Sequence, residues 1–198
     1  MGNSSHGDPL NEIQIFLEVA ATAKLTTMLR DGTFPTITHP FTTVFHVGHS
    51  LGSFEAYLLA SMYPDLTDAI VLTGFSMDFA SIGLFLAGGN FQLASLNQPL
   101  RFGNGIEQET GDRNSPSPQK LPNGYIISSN IEANKYLFFK PHHYDPEILE
   151  FAEKTKQPAT LGELLTIGAI PSINNYAGPV MIMTGGTDAL VESPFGKY

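Results

Sequence analysis

Phe41-Thr-Thr-Val-Phe-His-Val47, followed at once by Gly48-His49-Ser50-Leu51-Gly52, is the stretch on which the fold turns. Residues 41–47 are β-branched and aromatic, which predicts a strand. From Leu51 to Tyr63 the chain is rich in Ala, Leu, Glu and Met, which predicts a helix stopped by Pro64. Between them lies Gly-x-Ser-x-Gly. A sharp strand-to-helix turn of this kind forces its serine into strained backbone and lifts the hydroxyl above the sheet. Gly48 and Gly52 are expected because a side chain at either position would collide with neighbouring backbone. Ser53 and Ala56 are small and keep the helix close to the strand. The plainer alternative is a tight β–α turn that happens to contain a serine.

Working outward, residues 10–29 carry Ile13, Phe16, Leu17, Ala20, Lys24 and Met28, mostly apolar and mixing spacings of three and four, which predicts a helix closed by Asp31-Gly32. Ala69–Thr73, AIVLT, is an unbroken apolar strand of the sort found in parallel sheets covered on both faces. Val180–Thr184, VMIMT, is another, and Gly185-Gly186-Thr187-Asp188 follows it. Strands near 41–47, 69–73 and 180–184, alternating with helices, predict an α/β fold with a parallel sheet. Between the second and third strands the texture changes. Helix-like pieces at 78–87, 145–156 and 160–167 are separated by Gly-, Asn- and Pro-rich loops, the longest at 101–124. The expected division is therefore 1–74 for the first part of the core, 75–178 for a largely helical insertion, and 179–198 for the end of the core.

Composition narrows the classes. Of 198 residues, 42% are hydrophobic and 15% charged, as in a folded globular chain. Lys and Arg total 10 against 19 Asp and Glu, a formal charge of -9, which disfavours nucleic acid and anionic membrane surfaces. There is no cysteine, so disulfides, zinc–thiolate sites and thiol nucleophiles are excluded. The first residues lack the pattern of a signal peptide, and no apolar run is long enough to span a bilayer.

Several residues are candidates for chemistry. Ser50 is the candidate nucleophile, and the Leu51 N–H, at the helix start, the candidate oxyanion donor. Asp188, after a buried strand, can orient an imidazole at the carboxyl edge of a parallel sheet. His49 precedes the nucleophile and could touch substrate, but an immediate neighbour cannot act as the base. His142-His143, with Asp145, reads as a pair of surface-loop histidines, not a metal site, because adjacent loop side chains diverge. His46 lies within the strand, and His6 is a remote alternative base. The insertion holds 12 of the chain's 21 Phe and Tyr, where its share of length predicts 11, so its aromatics read as ordinary core. No metal or cofactor is expected.

VFHVGHSLGS, then AIVLTG, then PVMIMTGGTD, resembles the α/β-hydrolase family, in its serine esterase and lipase-like branch. The resemblance covers the sheet-forming half of the chain. It implies a partial hydrolase sheet with a cap at 75–178, no cofactor, and a small-molecule ester-like substrate cleaved through an acyl-enzyme. It also implies a catalytic histidine beyond the acid, yet only ALVESPFGKY follows Asp188. The family's first four strands, its second oxyanion donor and its last strand likewise have no counterpart. The resemblance therefore implies a fragment of a larger enzyme, impaired as it stands and poorly soluble through an exposed strand edge. An acyltransferase or thioesterase using the same Ser50, or a non-catalytic binding protein that keeps the fold, are the alternatives.

Overall fold

A computed structural model describes residues 5–78, 81–103 and 120–185. They are mixed α/β, with eight α-helices, a three-stranded parallel sheet and a small antiparallel sheet among the described residues. The chain forms two compact units: Gln14–Ile82 with Leu165–Tyr198, and Met1–Ile13 with Gly83–Leu164. Residues 5–13 group with the described residues of 83–164.

The first of these units holds the parallel sheet. Helix α1, Ile15–Asp31, buries Ile15, Val19, Ala23 and Thr26, and ends on Gly32 at φ 66°. That left-handed residue lets Thr33 N–H return to the Met28 carbonyl at 2.9 Å and close the last turn. Strand β1 is Phe45–His49, α2 is Leu51–Met62, a 3-10 turn runs Pro64–Leu66, and β2 is Ala69–Thr73. Strand β6, Val180–Met183, completes the sheet in the order β1-β2-β6, all parallel. The register pairs His49 with Thr73 and Thr73 with Met183, so the three strands finish level at one edge. The core gathers Ile15, Val19, Phe54, Leu58, Leu59, Ile70 and Leu72.

Two expected boundaries move. The first strand begins at Phe45 instead of Phe41: the Phe41 N–H donates to the Leu29 carbonyl at 3.1 Å, at the end of α1, and side chains take up the groups of residues 42 and 44. Arg30 reaches the Thr42 carbonyl at 3.2 Å and the Asp68 carboxylate at 2.5 Å, and Asp68 accepts the Val44 N–H at 2.8 Å. Those bonds hold the Asp68 carboxyl below its ordinary range, the Val44 N–H first and Arg30 second. The first helix begins at Ile15 instead of Leu10. Asp8 captures the N–H groups of Leu10 and Asn11 at 3.0 and 2.7 Å and sets a turn where the helix was expected.

Among the described residues, one face of this sheet is largely exposed. Phe45 is 62% exposed and Val47 72%, and Met181 and Met183 are each at least half exposed. Alternation puts these four on the face opposite the buried Ile70 and Leu72.

The other unit is described by itself. It carries β3 (Gln92–Leu93), β4 (Tyr125–Ile127) and β5 (Ala159–Thr160), an antiparallel sheet in the order β3-β4-β5. Sequence patterning did not anticipate it, because two or three residues are too few to show a period. The helical pieces expected at 78–87, 145–156 and 160–167 are α3 (Ile82–Gly89), α7 (Pro146–Thr155) and α8 (Leu161–Ile167). Short helices α4 (Ala94–Asn97) and α5 (Pro99–Phe102), together with α6 (Ile131–Phe138), complete it.

Helix α8 opens on a capping box. Thr160 Oγ1 accepts the Glu163 N–H at 3.1 Å, and the Glu163 carboxylate accepts the Thr160 N–H in return. Both residues are buried, Glu163 at 3% exposure. Glu163→Ala is expected to destabilise the protein by about 1–2 kcal/mol in urea unfolding, since it orphans a buried N–H. An unchanged midpoint would show that the box contributes nothing.

Candidate active site

Ser50 occupies the one-residue gap between β1 and α2. Its backbone lies at φ 52° and ψ -117°, a region that side-chain-bearing residues rarely enter. Such a residue costs about 1–3 kcal/mol and persists only where its surroundings impose it. Here the Ser50 N–H donates to the Thr73 carbonyl at 2.9 Å, continuing the β1–β2 ladder, and the Ser50 carbonyl accepts the Ser53 N–H at 2.9 Å, starting the helix. Strand and helix bonds therefore meet on one residue.

The Ser50 side chain is left over. A serine at a helix N-cap ordinarily spends its oxygen on an N–H of the first turn. Ser50 makes no such bond. The Leu51 N–H, the first of the helix, likewise meets no backbone acceptor among the described residues. Among the described residues, then, the Ser50 hydroxyl makes no cap bond and the Leu51 N–H no backbone bond, at the positive end of a helix.

The glycines divide. A Cβ at Gly48 would run into the Gly52 carbonyl and come within 2.6 Å of the Ser53 Cα, so β1 and α2 approach too closely for any side chain there. At Gly52 a Cβ would meet nothing within 4 Å. The expected collision at Gly52 is therefore corrected: among the described residues its neighbourhood is open.

Ser53 is fully buried and bolts α2 to β2. Its hydroxyl donates to the Thr73 carbonyl at 2.8 Å and accepts the Thr73 N–H at 3.0 Å. The Thr73 hydroxyl donates to the Gly48 carbonyl at 2.9 Å and lies 2.9 Å from His49 Nδ1. Composition pointed to Ser53 only as a small residue and did not point to Thr73 at all. The Thr73 role follows from parallel register, which sequence spacing does not carry.

His49 is exposed, on the largely exposed face of the sheet, held by Thr73. His46 faces the other way and is held at both ring nitrogens, by Thr26 at 2.9 Å and Thr67 at 2.8 Å. Burial, and then the charge of Arg30, push its pKa below the ordinary histidine value of 6.5. Because the folded pKa lies below the unfolded one, this site contributes its full stability above about pH 6.5 and loses it as pH falls through the folded value. His46→Gln is expected to flatten the fall in unfolding free energy between about pH 7 and pH 5. An equally steep fall in the variant would exclude His46 as its source.

The remaining histidines stand apart from Ser50 in the bonding pattern. His6 packs edge-on against Tyr125, and His39 lies against Phe41 at 4.8 Å between ring centres. His142, at φ 63°, and His143 are exposed. Among the described residues no histidine is bonded to Ser50 Oγ, and no three His, Asp or Glu side chains gather as a metal site would require.

Asp188 lies outside the described residues. The end of its strand is fixed: the Gly74 N–H donates to the Met183 carbonyl at 2.9 Å, and Thr184 Oγ1 donates to the Phe75 carbonyl at 3.2 Å. A shallow apolar cleft between α2 and β6 is lined by Tyr57, Leu72, Phe75, Tyr176 and Ile182, but Ser50 does not line it. No helix of the described residues is long and apolar enough to cross a membrane. The chain matches no protein-family model and no curated protein.

Proposed function

We propose that the protein is a serine hydrolase of the α/β-hydrolase kind, acting on a carboxylic ester-like bond with Ser50 as nucleophile. One observation carries the reading: Ser50 is held at φ 52°, at the end of a parallel strand, with its hydroxyl spent on no cap. A serine needed only to start a helix would be relaxed and would bond the first turn.

The chemistry follows from the geometry. Ser50 Oγ attacks the ester carbonyl carbon and forms a C–O bond. In a complete triad its proton would pass to an imidazole base oriented by Asp188, a base that none of the six histidines is placed to supply, and the oxyanion would be met by the Leu51 N–H. The C–O bond to the alcohol then breaks, the imidazole protonates the departing alkoxide, and water hydrolyses the acyl-serine by the same steps. Support for Asp188 comes from the strand that precedes it in sequence. Ser50 and Thr184 each follow their strands directly, with β2 between them, which sets them roughly 10 Å apart, two strand spacings.

Incubation with an activated carboxylic ester, followed by peptide mass spectrometry, is expected to find the acyl group on Ser50. Acylation of other serines alone would end the hydrolase reading. Adding a competing alcohol or thiol separates hydrolysis from acyl transfer by the product formed.

A further inference from the structure

Five hydrogen bonds of Thr73 reach the turn that holds Ser50. Its carbonyl accepts from Ser50 N–H and Ser53 Oγ, its N–H donates to Ser53 Oγ, and its hydroxyl meets the Gly48 carbonyl and His49 Nδ1. The three backbone contacts exist for any residue at this position. The two hydroxyl contacts exist only for Thr or Ser.

Those two contacts settle a proton. The Thr73 hydroxyl has one hydrogen and two partners, each at 2.9 Å. The Gly48 carbonyl can only accept. The imidazole can accept or donate at Nδ1, according to its tautomer. Both contacts are hydrogen bonds only when the hydroxyl gives its hydrogen to Gly48 and the ring donates from Nδ1. The other arrangement forfeits the bond to Gly48.

We propose that Thr73 is a positioning residue of the Ser50 turn, whose hydroxyl ties Gly48 to the His49 ring and holds that ring as its Nδ1–H tautomer with Nε2 as the acceptor. The tie spans the ends of β1 and β2 immediately before the strained residue. It holds the Gly48 carbonyl and the His49 ring, the two residues that precede Ser50, and leaves Nε2 of that exposed ring as an acceptor. The tautomer claim stands on geometry alone, and only the kinetic consequence rests on the hydrolase reading.

The test uses the full chain as wild type, Thr73→Val, Thr73→Ser and Ser50→Ala. Long-range 1H–15N correlation spectra of the imidazoles report which ring nitrogen carries the proton. Wild type and Thr73→Ser are expected to show His49 protonated at Nδ1, and Thr73→Val to shift it toward Nε2–H. A fluorophosphonate probe is expected to label Ser50 of Thr73→Val roughly ten- to a hundredfold more slowly than wild type, with the rate restored in Thr73→Ser. A wild-type ring protonated at Nε2, or a tautomer unmoved in Thr73→Val, overturns the proposal. So does a tautomer change with no slowing. Should Thr73→Val fail to fold, the wild-type spectrum decides. A wild type labelled no faster than Ser50→Ala sinks the hydrolase reading, and the tautomer spectra still decide the clamp.

Discussion

Gly48→Ala is expected to cost at least about 3 kcal/mol of stability, the upper part of the range for overpacking, because the obstacle is backbone and not a side chain that can swing away. The added carbon would meet the Gly52 carbonyl and the Ser53 Cα. Relief requires α2 to move off β1, and that motion strains the Ser53–Thr73 bolt and the Ser50 ladder bond together. In thermal unfolding the loss corresponds to a fall of roughly 6–12 °C. Gly52→Ala is the internal control. Its Cβ enters open space in a helix, where alanine is preferred over glycine, so it is expected to be neutral or to stabilise by up to about 1 kcal/mol. Equal effects from the two glycines would mean that the close approach of β1 and α2 is not what Gly48 serves.

Ser50 variants separate function from stability. Ser50→Ala is expected to abolish acylation at this position while leaving the unfolding midpoint within about 0.5 kcal/mol, since the hydroxyl makes no cap bond. Ser50→Gly removes the side chain that makes φ 52° costly, so it is expected to stabilise the fold by about 1 kcal/mol and to be equally inactive. A protein that becomes more stable when its reactive residue is removed has held that residue at a cost. If Ser50→Gly destabilises the fold, the backbone at this turn is not strained and the account loses its footing. Without a positioned base, turnover is expected to lie about 10⁴- to 10⁶-fold below that of a complete triad.

The turn was legible in sequence because three independent signals coincide there. A β-branched run precedes it, glycines flank the serine at fixed spacing, and an Ala- and Leu-rich helix follows. AIVLT and VMIM were legible as strands because parallel strands read as unbroken apolar runs, but the burial expected of them is corrected: AIVLT buries only Ile70 and Leu72, and all four residues of VMIM are exposed. Elements set by single side chains were not. Asp8 holds a turn where periodicity predicts helix, and ahead of the strand Phe41 bonds back to α1 while Arg30 and Asp68 take up groups of Thr42 and Val44. Thr73 could not be found from spacing, because its partners lie 20 to 25 residues back and meet it only through register. Thr160-Leu-Gly-Glu163 is a different case: Thr-x-x-Glu before an apolar helix signals a capping box, and the pattern stands openly in the sequence. Of the candidate site, Ser50, Leu51, Gly48 and His49 come together at the turn, while Asp188 lies outside the described residues.

The measurement that bears most directly on Ser50 is fluorophosphonate labelling mapped to individual serines, with and without added imidazole. Among the described residues no histidine is bonded to Ser50, so a freely diffusing imidazole can act there as the base. The expected result is an adduct on Ser50 in preference to every other serine, formed faster as imidazole is added and absent in Ser50→Ala. Labelling spread over exposed serines, or an adduct at Ser50 no faster with imidazole than at a loop serine, would contradict the assignment of Ser50 as a poised nucleophile.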